Sequence, residues 1–593
     1  MFARLAARRI PSFATPATGL GLRPNVAAVP KPAVSSSRTG TAMTKRFASS
    51  HQEHHSHSSS ESSSTGSSAA LAMASAMVFV PAFLYLTKPP EKYYKQKAAT
   101  AAHSTPSEAT KPAAPVVHDT PAANEPPTSF KYVLIGGGTA SYSAMLGIRE
   151  LDPTGEILII TAEPYAPYQR PPLSKELWFK GANAESLEFT NWQGEQTSLM
   201  YQPASAYESP AADLVPTGEG TKLLTNARAV ALDVDAQTIT LESGTVVKYD
   251  KVLLATGGTP RKLAVQKGLP EVAQRRVVTY RTVDDFKKLT QVVSGDEGKT
   301  KKVAVIGGGF LGSELSVALA QKDGVDVTQV FPEEGNMALV FPRYLTKWTT
   351  NQITSEGVTV LPKSTVTSLA YDDEADKILV QVNNGDSPLA VDHVVVAVGI
   401  EPNVTLAKNA GLEIDPVRGG IAVNAELEAR HNVFAAGDNV SFHDVVLGRR
   451  RVEHYDNAVL QGRWAGRSMA GKPKAFTHQS MFWSDLGPKI GYEAMGVLDS
   501  SLVTVGVWGH QQTDASSVPA AAADGAKTDA PLGKPPGSEE FRKGVVFYVR
   551  DDKIVGVLMF NVHGKVDVAR RILLEGRKPA EANELAAKFD IFA

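Results

Sequence analysis

The chain has 593 residues, of which 42% are hydrophobic and 21% charged, with a formal charge of −1 and no cysteine. That length suits three or four domains, and the missing cysteines exclude disulfides, thiolate metal sites and thiol catalysis, including a redox-active cysteine pair. The charge is uneven: Met1 to Gln52 holds eight Lys and Arg but no acid, so the remainder carries −9, which argues against electrostatic nucleic-acid binding.

Residues 1–50, with Arg4, Arg8 and Arg9 in an acid-free, serine-rich background, predict a mitochondrial transit peptide. Residues 51–68 read as a polar linker; His54, His55 and His57 have no fixed framework around them, and no metal site is predicted. Residues 69–87 contain a charge-free run from Ala69 to Leu86, flanked by Tyr85, Tyr93 and Tyr94, and predict one transmembrane helix. Pro81 inside that run keeps a buried or interfacial helix as the competing reading. Lys88, Lys92, Lys95 and Lys97 would place the bulk of the protein in the matrix by the positive-inside rule. A transit peptide followed by a stop sequence gives the opposite result, an inner-membrane protein facing the intermembrane space, and this is the expectation carried forward. Residues 88–128, rich in Ala, Pro, Thr and Lys, predict a flexible tether.

From Phe130 the pattern changes. Phe130 to Ile135 predicts a buried parallel strand, Gly136-Gly137-Gly138-Thr139-Ala140-Ser141 a sharp turn, and about Ser141 to Arg149 a helix. A second strand from Glu156 to Thr161 then brings Glu163 to where an acid accepts hydrogen bonds from a ribose. Gly136 permits the turn, and Gly138 lets backbone N–H groups approach a pyrophosphate at the helix N-terminus. Ser141 stands where Gly or Ala is preferred, so its hydroxyl must fit against the strand or cap the helix.

Between Pro167 and Trp178, a double proline stiffens the loop that carries Arg170 and Lys175, suited to hold both against an anion. Lys251 to Arg261 reads as a strand leaving this first dinucleotide-binding domain. The glycine device then recurs: Lys302 to Ile306, the turn Gly307-Gly308-Gly309-Phe310-Leu311-Gly312, a strand from Val325 to Phe331, and Glu333. Gly136 to Glu163 spans 27 residues and Gly307 to Glu333 spans 26. Two dinucleotide sites in one chain point to electron transfer between nicotinamide and flavin, hence NADH and FAD. With no Arg at its shoulder, Glu333 argues for NADH over NADPH. Val394 to Gly399 reads as the closing strand of this unit, with Gly399 close to the cofactor. Phe310 fits either a cover over the flavin or an ordinary core position.

The fold class is therefore α/β, with two Rossmann-like dinucleotide-binding domains and an α+β carboxyl-terminal domain. The expected boundaries are 129–262 and 400–480 for the FAD domain, 263–399 for the NADH domain and 481–593 for the last. In that last domain, strands are expected at Leu502 to Trp508, Lys543 to Val549 and Ile554 to Phe560, and a helix from Val566 to Leu574. A flexible insertion at 511–540 separates them.

Five stretches carry a resemblance: Tyr168 to Trp178, Ala255 to Arg261, Ile306 to Leu315, Arg449 to His454 and His478 to Pro488. They resemble the mitochondrial apoptosis-inducing factor family, flavoprotein NADH oxidoreductases of glutathione-reductase-like fold. The resemblance implies that the first glycine turn, Arg170, Lys175, Arg281, Asp438, His454 and Trp483 contact FAD. It assigns Lys175 and Glu314 to the reacting edge as an ion pair, with Phe310 and His454 also in the catalytic set. Gly308, Gly309, Leu311, Glu333, Gly399, Glu453, Glu493 and Asn561 complete the cofactor-binding set. Three positions depart from the vertebrate pattern: Ala162 where the ribose acid is expected, Tyr455 for a second histidine, and Ala422 for an arginine at a dimer surface where Glu413 and Arg430 match.

What the resemblance implies of function is a long-lived complex of reduced flavin with NAD that senses redox state. It further implies support of respiratory-chain biogenesis and, on release to cytosol or nucleus, caspase-independent cell death. Implied partners are a redox-dependent homodimer and the disulfide-relay import receptor of the intermembrane space. A family insertion loosens on reduction; 511–540 fits that switch or an inert loop. The alternative is a productive reductase delivering electrons to a quinone, ferredoxin or ascorbyl radical.

Overall fold

Short runs of Val, Ile and Leu bounded by glycine turns set the parallel strands of this chain, because strands covered on both faces need apolar side chains on both. The structure is a computed structural model that describes residues 128–592, except 180–181, 192, 208–219, 295–298, 488 and 510–540. The expected transit peptide, polar linker, span, nearly all of the tether and the 511–540 insertion lie outside the described residues. Among the described residues no helix is long and apolar enough to cross a membrane.

The first sheet has eight strands, with Thr128–Ile135 near its middle between Val246–Leu254 and Ile157–Ile160, and Thr221–Leu224 beyond. These pair in parallel, and Val133, Leu134, Leu158, Ile159, Val252 and Leu253 are fully buried. The strand begins at Thr128, inside the expected tether and two residues before Phe130. On the far side of Val246–Leu254 lies Val433–Ala435, also parallel. Two adjacent strands of one sheet thus flank a long excursion of the chain, and that excursion builds a second sheet.

The second sheet is parallel throughout, in the order Val277–Thr279, His393–Val396, Lys301–Ile306, Val325–Val330 and Thr359–Leu361. Its closing strand stops at Val396, three residues short of the expected end. Ala397 N still bonds Ile306 O, whereas Gly399 has turned away with φ of +99°. A third, antiparallel sheet runs Met481–Leu486, Ile490–Gly496, Lys553–Phe560, Gly544–Arg550, Val503–Trp508, with the helix Val566–Glu575 against it. The three strands and the helix expected from the sequence have ends that agree with that reading or differ from it by one residue.

Candidate active site

The first glycine turn is forced by backbone geometry. Gly136 has φ of +120°, and a Cβ there would stand 2.1 Å from the carbonyl oxygen of Ala255. Gly137 faces Thr161 as closely, so neither position accepts a side chain. Above Gly138 the space is open, with no atom within 4 Å of a Cβ position. Gly138 is itself the N-cap of the helix Thr139–Arg149, which starts two residues earlier than expected, and no side chain caps it. Its free N–H groups therefore face an open cradle for an anion. Ser141 does not cap the helix: it is completely buried and its hydroxyl meets no hydrogen-bond partner among the described residues.

Behind this helix lies Tyr455–Met469, in backbone contact through small residues. A Cβ on Gly462 would meet Ala140 O at 2.2 Å, and one on Gly466 would meet Ala144 O at 2.1 Å. Gln461 Oε1 accepts from Gly437 N at 3.0 Å, and Arg463 pairs with Glu150. The crossing fixes where the N-terminus of Tyr455–Met469 points, which is into the same cleft as that of Thr139–Arg149.

That cleft has a volume of about 1020 Å³. Gly136, Gly137, Gly138, Thr139 and Ala140 line it at one end, and Phe310, Leu311 and Glu314 of the helix Phe310–Ala320 line it at the other. Glu163, Arg170, Lys175, Arg281, Asp438, Glu453, His454 and Trp483 form its walls. Three helix N-termini thus open on one space.

Ion pairs fix the walls. Glu163 accepts from Arg170 Nη2 at 2.6 Å and from the Tyr168 hydroxyl at 2.6 Å, and Arg170 Nη1 also reaches Arg281 O at 3.0 Å. Arg281 Nη2 donates to Asp438 Oδ2 at 2.9 Å. The deepest pair is Lys175 with Glu314, 3.0 Å apart and 6% and 7% exposed. Lys175 sits between two short 3-10 turns, Pro171–Ser174, which the two prolines start, and Glu176–Trp178. Ser174 Oγ donates to Glu314 Oε2 at 2.5 Å and Ser484 Oγ to Glu314 Oε1 at 2.6 Å. Burial alone would push the Lys175 ammonium down, but the charges of Glu314 and Glu176 outweigh it and hold it above the usual lysine value.

Other side chains are pushed toward neutrality. Burial lowers His454 to about 4, with the charge of Arg450 adding to the effect, and its ring stacks on Phe482 at 4.3 Å. Burial raises Glu176, Asp485 and Glu453 above the usual carboxyl range. Phe310 packs edge-on against Phe482 with centroids 5.2 Å apart, at the start of the second glycine helix.

The second turn repeats the first. Gly307 has φ of +130°, and its Cβ would meet Ala397 O at 2.3 Å; a Cβ on Gly308 would strike the Phe331 ring at 2.7 Å, while Gly309 is open. Glu333 is half-buried just past the strand Val325–Val330, and Gly399 has open space over its Cβ position. Gly308, Gly309, Glu333 and Gly399 do not line the large cleft but flank the turn that opens beside it. Glu493 stands opposite Trp483 across the third sheet. Asn561 has both amide ends occupied: it accepts from Gly491 N at 2.7 Å and donates to Lys489 O at 3.1 Å and Arg542 O at 2.7 Å.

Sequence reasoning missed Ser174 and Ser484, whose only signal is adjacency to Lys175 and Trp483. It also missed the tyrosines beneath the first turn. The Tyr201 hydroxyl bonds Thr139 Oγ1 at 3.0 Å and the Tyr455 hydroxyl at 2.8 Å, and its ring stacks on Tyr142 at 4.3 Å. Tyr455, in place of a histidine, therefore supports the loop from below. The open cradle at Gly138, the acid at Glu163 and the cleft's size fit FAD, and the equivalent cradle at Gly309 with Glu333 fits a second dinucleotide.

Residues 130–462 match the pyridine nucleotide-disulphide oxidoreductase family, and residues 465–535 and 510–575 match the apoptosis-inducing factor, mitochondrion-associated, C-term family. The chain belongs to the apoptosis-inducing factor family. It is 39% identical over 502 residues to the putative apoptosis-inducing factor 1, mitochondrial, of Drosophila melanogaster, covering 80% of this chain and 67% of that protein. It is 39% identical over 470 residues to apoptosis-inducing factor 1, mitochondrial, of Dictyostelium discoideum, covering 78% and 81%. A ferredoxin reductase crystal structure from Rhodopseudomonas palustris aligns with a TM-score of 0.58 at 26% identity, covering 76% of this chain and 97% of that one. As a member of this family the protein is an FAD-dependent NADH oxidoreductase. The disulphide in the broader family's title has no counterpart here, because the chain has no cysteine.

Proposed function

We propose that this apoptosis-inducing factor-like protein is a mitochondrial redox sensor that reacts with NADH, keeps the nicotinamide bound and acts largely through partners. The observation that carries the reading is the buried Lys175–Glu314 pair, which joins the flavin wall to the second glycine helix. Bound FAD supplies a two-electron acceptor for the hydride of NADH. Lys175 offers positive charge at the edge of the cleft where negative charge grows, and Glu314, clamped by Ser174 and Ser484, keeps the ammonium in place. Phe310 and Phe482 close the space between the two sites and exclude water, while His454 stays neutral and packs flat on Phe482. We assign 129–262 with 400–480 to FAD, 263–399 to NADH and 481–593 to a partner-facing domain.

The acid-free amino terminus and the mitochondrial titles of two relatives support a mitochondrial location. The 69–87 run would tether the protein to the inner membrane with its bulk in the intermembrane space. There the reduced homodimer would engage the disulfide-relay import receptor in support of respiratory-chain biogenesis, and on release it would serve cell death. A second reading, a productive reductase passing electrons to a ferredoxin, a quinone or ascorbyl radical, is favoured by the likeness to a ferredoxin reductase. Anaerobic titration with NADH followed by sizing separates them. A persistent long-wavelength absorption band and a dimer support the sensor; rapid steady turnover with one acceptor replaces it with the reductase.

A further inference from the structure

The buried ion pair of the cleft is continuous with a row of titratable groups that reaches the surface. Asp485, on Met481–Leu486, lies within electrostatic reach of Lys175 and Glu314. By strand alternation it shares a face with Trp483, which lines the cleft. Across the sheet Asp485 is opposite Gly491, and Trp483 is opposite Glu493. A Cβ on Gly491 would stand 3.0 Å from Asp485 Oδ1 and 3.0 Å from His563 Cε1, so the carboxyl and the imidazole both border the space this glycine leaves open. His563 Nδ1 lies 3.9 Å from Glu493 Oε1; the His563 side chain is 60% exposed and that of Glu493 17%. Glu493 Oε2 is buried and meets no hydrogen-bond partner among the described residues.

We propose that Asp485, His563 and Glu493 form a proton route between solvent and the Lys175–Glu314 end of the cleft. Passing the flavin's electrons on to a quinone, the acceptor of the second reading, needs one. NADH delivers a hydride, two electrons with one proton, and a quinone acceptor leaves as a quinol with two electrons and two protons. The balance is NADH + quinone + H⁺ → NAD⁺ + quinol, so one proton per turnover must come from water. Burial raises Glu493 to about 7, so it exchanges a proton near neutrality, and burial raises the Asp485 carboxyl above its usual range, so it takes a proton more readily than an exposed aspartate. Burial lowers His563, which leaves its ring neutral, able to accept a proton at one nitrogen and donate from the other. The remaining charged group facing the inner end is Glu176, itself raised by burial beside Lys175. Gly564 N–H bonds the Glu493 carboxyl at the outer end.

The inference rests on the flavin and nicotinamide reading of the cleft, and its test separates the two. In the full-length holoenzyme, Asp485→Asn and His563→Gln are compared with wild type for anaerobic flavin reduction by NADH, which draws no proton from water, and for turnover with a water-soluble quinone. Flavin reduction is expected to persist, while quinone turnover falls by about tenfold or more, with a larger solvent isotope effect and partial rescue by imidazole. As a readout apart from turnover, the His563 ring titration followed by NMR shifts in Asp485→Asn. Unchanged quinone turnover and isotope effect in both variants overturn the proton route, as does an equal loss in both half-reactions. If Asp485→Asn does not fold, His563→Gln at the surface carries the same test. Failure of wild-type flavin reduction sinks the reading of the cleft instead.

Discussion

The two glycine turns have nearly equal spacing and the same positive φ at their first glycine, yet their surroundings differ. The first is closed in from behind by Gly462 and Gly466 and from below by Tyr201 and Tyr455, and its acid, Glu163, is paired with Arg170 and Tyr168. In the second, a Cβ on Gly312 would meet Gly307 O at 2.2 Å, and Gln329 and Asn336 hold the turn by hydrogen bonds to Gly307 O and Ser313 Oγ. Glu333 there is tied through its carbonyl, which accepts from Lys363 N at 2.8 Å. One sequence device, set in two packings, gives a walled site suited to a resident nucleotide and an open one suited to exchange.

The largest break in this comparison comes from the buried Lys175–Glu314 bridge. Glu314→Gln leaves Lys175 as an unpaired buried cation and is expected to cost about 3–5 kcal/mol in denaturant unfolding. Replacing both residues by apolar ones of similar volume restores most of that stability but not flavin reduction by NADH. Gly136→Val and Gly307→Val test the turns themselves. Each places a Cβ inside 2.5 Å of a carbonyl oxygen at positive φ and is expected to cost about 3 kcal/mol locally. The first loses bound flavin by absorbance; the second keeps the flavin and loses NADH binding.

A pH scan addresses the second sheet. Burial lowers His393 from 6.5 to about 4, so its folded form holds fewer protons than the unfolded chain inside that window. The His393 share of stability is complete above 6.5 and is lost as pH drops toward 4, by about 3 kcal/mol; His393→Phe removes that share from the urea midpoints and leaves the part due to His454. The smallest effect sharpens the contrast between the acids. Glu163→Gln is expected to weaken FAD, and Glu333→Gln to weaken NADH, each by about 1–2 kcal/mol or roughly tenfold in Kd by titration.

Much of this fold was readable in advance because it rests on local rules. Gly136 and Gly307 are glycine because a side chain would clash and the backbone is left-handed there, and the apolar strands before them are buried on both faces. The site was readable less evenly. Arg170 and Lys175 showed themselves as cations in a stiff loop, but their acidic partners Glu163 and Glu314 come from other elements. Glu314 entered only through family resemblance. Asp485, Glu176 and His563 look like ordinary charged residues in the sequence, since burial, which sets their protonation, is a long-range property. The Ser141 hydroxyl was expected to fit against the strand or cap the helix; it does not cap the helix but lies completely buried.

By itself the sequence determined that two dinucleotide-binding units occur, where each begins, and that no thiol chemistry is available, because φ preferences, periodicity and composition are local properties of the chain. Only the tertiary structure decided that the second glycine helix reaches the cleft of the first unit, that Lys175 meets Glu314 there, and which carboxyls are buried. Those outcomes depend on the distance and dielectric between residues far apart in the chain, which no local pattern encodes.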